Sequence, residues 1–369
     1  MKIMCTKRDL HEGLAAAGRV TGRSTLPILM NFLVKTTPSG LEITGYDLEI
    51  GIRRQIPAQV QEEGAFTVSS KILTDIVNAL PDSHVQFSGD GQGALNLTCD
   101  RSSFDLLGLP ADDFPNLPEV GEESEFTLKA GDLKALIQQV AFAASTDEAR
   151  AVMTGIDLKI GDGKITMAAT DGHRLAVRHL DVTEGATEPP AASIIIPARA
   201  LNELARLLPQ DDAAEVKIRL ASNQIQFQVE NTTLVSRLIE GQFPNFERVI
   251  PASTDKSVTM QTQELAQAVR RAAIVAREAS NRVILKTEGD RLIVTAESGG
   301  VGKAKEDVEA LREGEDVEIA FNAKYLLDVL NVLDSEGVRF ELTGSLNPGL
   351  IRPVDGSDYL YVIMPMQIV

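Results

Sequence analysis

The stretch Ser193–Asp211, SIIIPARALNELARLLPQD, decides how the chain is read, because its pattern occurs three times. Ile194–Ile196 predict a short strand. Ala200, Leu201, Leu204, Ala205 and Leu208 then fall at i, i+1, i+4, i+5 and i+8, the spacing of one buried helix face. The same spacing returns at Ile72, Leu73, Ile76, Val77 and Leu80 behind the strand Ala65–Val68, and at Tyr325, Leu326, Val329, Leu330 and Leu333 behind Val317–Phe321. A basic residue precedes each stripe: Lys71, Arg199 and Lys324, 128 and 125 positions apart. A unit of about 125 residues in three copies is of ordinary domain size.

Working outward, each copy opens with a strand and a first helix. Lys2–Cys5 leads to a helix N-capped by Thr6, with Leu10, Leu14 and Ala17 on its buried face. Glu125–Leu128 leads to Leu133, Leu136, Ile137 and Val140, and Ser257–Met260 to Leu265, Ala268, Val269 and Ala272. Alternating strands fill the space between the two helices: Leu41–Thr44 and Leu48–Ile56, Lys164–Ala168 and Leu175–Leu180, Arg291–Ala296 and Gly302–Val308. A strand pair follows the second helix: Val85–Ser88 with Ala94–Thr98, Val216–Leu220 with Gln224–Val229, Val338–Leu342 with Tyr359–Pro365. Asp113-Phe114-Pro115-Asn116 and Gln242-Phe243-Pro244-Asn245 read as repeated linkers. The expected fold is therefore α+β: three repeated domains, each of two helices packed on antiparallel sheet, spanning 1–123, 124–255 and 256–369.

A net charge of −17 argues against a protein that simply coats nucleic acid, which needs a broad basic surface to release counterions. The acidic excess lies mainly in strands and loops, such as Glu122–Glu125 and Glu313–Asp316, while the helices are nearly neutral. No apolar run approaches the roughly 20 residues of a membrane span. The N-terminus turns polar at once, so a cytoplasmic location is expected. Cys5 and Cys99 are the only cysteines and form no CxxC pair, so neither a disulfide framework nor a zinc site is expected, and no cofactor.

Three features invite a chemical reading. Gly299-Gly300-Val301-Gly302-Lys303 lacks the first glycine and the final hydroxyl of a phosphate loop, having Glu297 and Ala304 there, and reads as a hairpin. Asp171-Gly172-His173-Arg174, between two apolar strands, could orient a general base, form a structural turn or present a binding surface. With four histidines in all and neither HExxH nor a G-x-S-x-G elbow, a hydrolase or transferase using Asp171 and His173 is the rival to a binding protein. The chain also ends in the apolar Tyr359–Val369, YLYVIMPMQIV. Its first half reads as a closing strand, and Met364-Pro365-Met366 as the lining of a groove that accepts several partners.

These motifs together resemble the bacterial DNA sliding-clamp family, the β subunits of replicative DNA polymerase III. Thr25–Leu29, Ile43–Ile50, the DFPN linker, Ala169–Val177, Phe321–Leu333 and Val362–Met366 fall in family order at family spacing, across the whole chain. The resemblance implies a non-catalytic processivity factor: a head-to-tail homodimer closing a ring around duplex DNA, with twelve helices inside and sheet outside. Partners would be the clamp loader, the polymerase catalytic subunit and other clamp-motif proteins. It implies a subunit contact of Phe104 and Leu106 with Ile274 and Val275 of the other chain. It also implies DNA-facing Arg23, Lys71 and Arg199; position on the repeated helices adds Arg206 and Lys324. Finally it implies a pocket for partner peptides at Met153, Thr170, Gly172, His173, Arg174, Leu175, Pro244, Arg248, Val249, Leu346, Val362, Ile363, Met364, Pro365 and Met366. That pocket would gather two of the three unexplained features into one site.

Overall fold

The computed structural model describes residues 1–22, 24–89, 93–121, 124–182 and 191–368. In the first repeat, β1 (Lys2–Thr6) runs into α1 (Lys7–Ala17), followed by β2 (Asn31–Thr37), β3 (Gly40–Tyr46), β4 (Ile50–Ile56), β5 (Gln59–Glu62) and β6 (Ala65–Ser69). Then come α2 (Ser70–Ala79), β7 (His84–Gly89), β8 (Ala94–Cys99) and β9 (Ser102–Leu107).

The order recurs with β10 (Glu125–Lys129), α3 (Ala130–Val140), β11 (Gly155–Gly161), β12 (Lys164–Thr170), β13 (Arg174–Asp181) and β14 (Ala192–Pro197). It continues through α4 (Ala198–Leu207), β15 (Glu215–Leu220), β16 (Gln224–Val229) and β17 (Thr232–Arg237). The third copy holds β18 (Lys256–Gln261), α5 (Thr262–Ala276), β19 (Arg282–Glu288), β20 (Arg291–Ser298), β21 (Gly302–Glu313) and β22 (Glu318–Asn322). It closes with α6 (Ala323–Leu330), β23 (Gly337–Leu342), β24 (Gly349–Pro353) and β25 (Tyr359–Ile363).

The Thr6 cap expected from sequence is present, and Asn322 caps α6 in the same way. Thr6 Oγ1 accepts from Asp9 N at 3.1 Å, and the Asn322 side chain accepts from Lys324 N at 2.9 Å, each satisfying an otherwise orphaned donor. Their apolar faces are buried as the spacing requires. In the first repeat Leu10, Leu14, Leu73 and Val77 join Ile3, Phe32, Ile43 and Phe87 in one core, each fully buried Leu contributing about 1.5–3 kcal/mol. Gly45 permits the close fit of α1 on β3: a Cβ there would stand 2.1 Å from Ala17 O.

Two expectations are corrected. Ile72, read as part of a buried face, is 51% exposed. Each repeat also has more strands than expected. β2, β11 and β19 precede the alternating pair, and β9, β17 and β24 extend the strand pair, so β25 lies against β24 and not β23.

Compact packing divides the chain into two units, Met1–Leu133 with Arg199–Leu238, and the described parts of Lys134–Ala186, Ala191–Ala198 and Ile239–Val369. The first unit holds a sheet β5-β1-β7-β8-β9 and a sheet β10-β15-β16-β17-β4-β3-β2-β6; the second holds β14-β11-β12-β13-β25-β24-β23-β18-β21-β20-β19-β22. The cut passes through the middle repeat because strands pair across the joints. β17 pairs with β4 (Val235↔Gly51), and β25 pairs with β13 (Val362↔Leu175). The expected boundary at 123 lies outside the described residues; β18 begins just past the one at 255.

Candidate functional site

The second unit gathers most of the expected pocket on the β12–β13 turn and the segment after β25. Gly172, at φ +90°, reverses the chain in a conformation that favours glycine. Asp171 organises the turn: Oδ1 accepts from His173 N (2.8 Å) and Arg174 N (3.1 Å), and Oδ2 accepts from Arg174 Nε (3.0 Å). Thr170 Oγ1 donates to Arg174 O at 2.6 Å and accepts from Gly172 N at 3.1 Å. A dyad with the His173 imidazole is therefore not built, because the Asp171 carboxylate is spent on the backbone and on Arg174. The ring of His173 lies against Tyr325 instead, centroids 6.5 Å apart.

Arg174 is the keystone. Its side chain is 7% exposed, its Nη1 donates to Asp328 Oδ2 on α6 at 2.5 Å, and its Nη2 donates to Phe142 O at 2.6 Å. The guanidinium also stands over the Tyr325 ring at 4.4 Å and the Phe142 ring at 5.4 Å. One buried cation thus ties the turn to α6 and to the segment after α3, with every polar direction answered. Tyr361 beneath it donates to Tyr325 O at 3.1 Å, and burial pushes its phenol well above the usual range.

The terminal segment closes against this turn. Met364 N donates to His173 O at 2.9 Å and Met366 N to Ala320 O at 2.7 Å, leaving Met364, Pro365 and Met366 half-buried beside the turn. Met153 stands beside Gly172, its Cε 3.7 Å from where a Cβ would be. Pro244, Arg248 and Val249 are exposed on the linker. Leu175 and Val362 pack with Phe246 and Leu350, and Ile363 is fully buried, so these three lie beneath the expected pocket rather than on its surface. Leu346 is 76% exposed between β23 and β24.

Tyr325, Asp328, Phe142 and Arg150 were missed. Arg150 Nη1 donates to Asp171 O at 2.9 Å, and its Nε donates to Asp147 Oδ2 at 3.1 Å. Of these, Tyr325 falls on the apolar stripe of α6 and reads from sequence as part of a buried helix face.

Among the residues expected to face DNA, Lys71 and Lys324 are exposed at the starts of α2 and α6. Arg206 is exposed and donates to Glu203 at 2.9 Å. Arg199 is half-buried and lies 2.6 Å from Asp47 Oδ2, so its charge already has a partner. Arg23 lies outside the described residues. Of the expected subunit contact, Phe104 and Leu106 are half-buried on β9, Val275 is half-buried on α5, and Ile274 is 63% exposed there. The Gly299–Lys303 stretch is the β20–β21 turn, where Lys303 pairs with Glu297 at 2.8 Å. Among the described residues no cluster of His, Cys, Asp and Glu is placed to hold a metal ion, and no helix is long and apolar enough to cross a membrane.

Family models of the DNA polymerase III beta subunit match the chain three times: the N-terminal domain at residues 1–118, the central domain at 127–245 and the C-terminal domain at 247–367. The chain is 35% identical over 373 residues to the beta sliding clamp of Proteus mirabilis, covering 100% of both chains. It is 34% identical over 359 residues to that of Halalkalibacterium halodurans, covering 94% of each. Among solved structures, the DNA polymerase sliding clamp of Bacillus subtilis superposes with a TM-score of 0.94 at 30% identity, and the DNA polymerase III subunit beta of Pseudomonas aeruginosa with 0.92 at 34%. Both cover 100% of each chain.

Proposed function

The chain belongs to the DNA polymerase III β-subunit family and serves as a sliding clamp in DNA replication, with no catalytic activity of its own; we propose that it does so as a head-to-tail dimeric ring. The observation that carries this reading is the bookkeeping of strand edges. The last strand of the second repeat pairs with the first repeat (β17 on β4), and the last strand of the third pairs with the second (β25 on β13). The equivalent last strand of the first repeat, β9, has a strand neighbour on one side only. So does the Gly302–Val308 part of β21, the equivalent of β4 and β13, among the described residues. Two open edges of complementary kind on one chain close when two chains meet head to tail.

Enclosure also reconciles DNA binding with a charge of −17, since a topological link needs few phosphate contacts. Lys71, Lys324 and Arg206 supply mild positive potential from the helices; Arg199 contributes less, being paired with Asp47. The domains run 1–123, 124–255 and 256–369. The groove around His173 and Met364–Met366 docks a short apolar peptide of the polymerase catalytic subunit, the clamp loader and other clamp-motif proteins. Half-buried, adaptable thioethers suit a site used by several partners.

The test is topological. Loaded on nicked circular DNA by a clamp-loading ATPase, the protein stays bound at high salt and is released once the circle is cut. Equal release from circle and linear DNA contradicts enclosure.

A further inference from the structure

The three joints can be compared row by row, because the strand registers fix which residues correspond. At the joint within the first unit, the cross-strand row reads Gln226, Val235, Gly51, Tyr46. In the second unit the same row reads Leu350, Val362, Leu175, Thr170. At their centres both rows are apolar, and each is covered by the segment connecting two repeats. Leu117 sits so close on Gly51 that a Cβ there would come within 2.8 Å, and Phe246 with Phe243 and Ile250 packs on Leu175 and Val362.

The corresponding positions on the two open edges are of another kind. On β8 and β9 they are Asn96 and Asp105; on β21 and β20 they are Lys303 and Glu297. Asn96 Nδ2 donates to Asp105 Oδ1 at 2.7 Å, and Lys303 lies 2.8 Å from Glu297 with three-quarters of its side chain exposed. Each half is a finished two-residue ladder whose outer member carries a charge, and the two charges are opposite.

Resting on the ring reading, we infer that the subunit joint is held in one register, with Asp105 of one protomer facing the partner's Lys303 across the paired β9 and β21 edges. The same register puts Leu106 opposite the partner's Gly302 and Phe104 opposite the partner's Ala304. A joint between separate protomers has no connecting segment to lay an apolar cover over this row, so an ion pair takes the place that Val235–Gly51 and Val362–Leu175 fill within the chain. A directly opposed pair of unlike charges stabilises the right register, and a slip that opposes like charges is penalised. The equivalents of Tyr325 and His173, which touch in the second unit, are Ile72 and Val301. Both are more than half exposed in the single chain, at 51% and 56%, and the joint buries them against each other.

The experiment is a charge exchange read by sedimentation at about 0.1 M salt, where surface charges are not fully screened. Asp105→Lys and Lys303→Asp should each weaken dimerisation at least about tenfold, and the double exchange should restore it to within about threefold of the parent. Oxidised Asp105→Cys/Lys303→Cys should run as a covalent dimer on a denaturing gel and neither single variant should, since Cys5 and Cys99 are buried. Unchanged dimerisation in both single variants, no rescue by the exchange, or no covalent species from a dimeric double-cysteine variant overturns this register. A parent protein that is monomeric at every concentration instead overturns the ring itself.

Discussion

Arg174→Met should cost the second unit about 3–5 kcal/mol of stability and, on the proposed reading of this site, abolish binding of clamp-motif peptides. The methionine keeps most of the volume but strands Asp171, Asp328 and the Phe142 carbonyl, three acceptors that now share one guanidinium. Such a loss far exceeds that of an exposed ion pair, about 0–1 kcal/mol, because the cation is enclosed between two aromatic rings. Urea unfolding should show an earlier midpoint with an unchanged slope, and Asp328→Asn, which keeps an acceptor for Nη1, should lose much less. A shift below about 1 kcal/mol in Arg174→Met would mean that the turn is held by its backbone bonds alone.

Ile274→Asp should leave the fold intact and remove dimerisation. The side chain is 63% exposed on α5, so the single chain loses little, whereas a carboxylate buried without a partner in a subunit contact costs several kcal/mol. A loss of about 4 kcal/mol corresponds to a roughly thousandfold weaker association. Thermal unfolding of the isolated chain should move little, while retention on nicked circles should vanish with the dimer. Undiminished dimerisation would take Ile274 out of the interface.

Much of this architecture was legible in the letters. The helices declare themselves because a strong 3.6-residue pattern is present in all three copies, with Thr6 marking the first start. Among the strands the sequence reading left out, β17 and β24 carry letters that point away from a strand. β17 reads TTLVSR and suggests a polar loop, yet Thr232 and Ser236 are buried because β16 and β4 flank the strand. Their hydroxyls are used, Thr232 Oγ1 accepting from Arg54 at 2.6 Å and Ser236 donating to Arg237 O at 2.9 Å. β24 is short and follows Asn347-Pro348, which signals a turn.

The proposed peptide site was legible as motifs and not as a network. Asp171–Arg174 and Met364–Met366 are each conspicuous in sequence, but Tyr325, Asp328 and Phe142 join them only through tertiary packing. Ile72 failed for the complementary reason. Its helical spacing matches a buried face, but in the proposed ring the surface that covers it belongs to another protomer.

The most direct measurement is the native mass across a range of concentrations. Because a heterologous contact either closes or propagates, a closed head-to-tail ring predicts one species at twice the chain mass of 39.8 kDa, with no larger members. A single-chain mass at every concentration, or a ladder of growing oligomers, would contradict it.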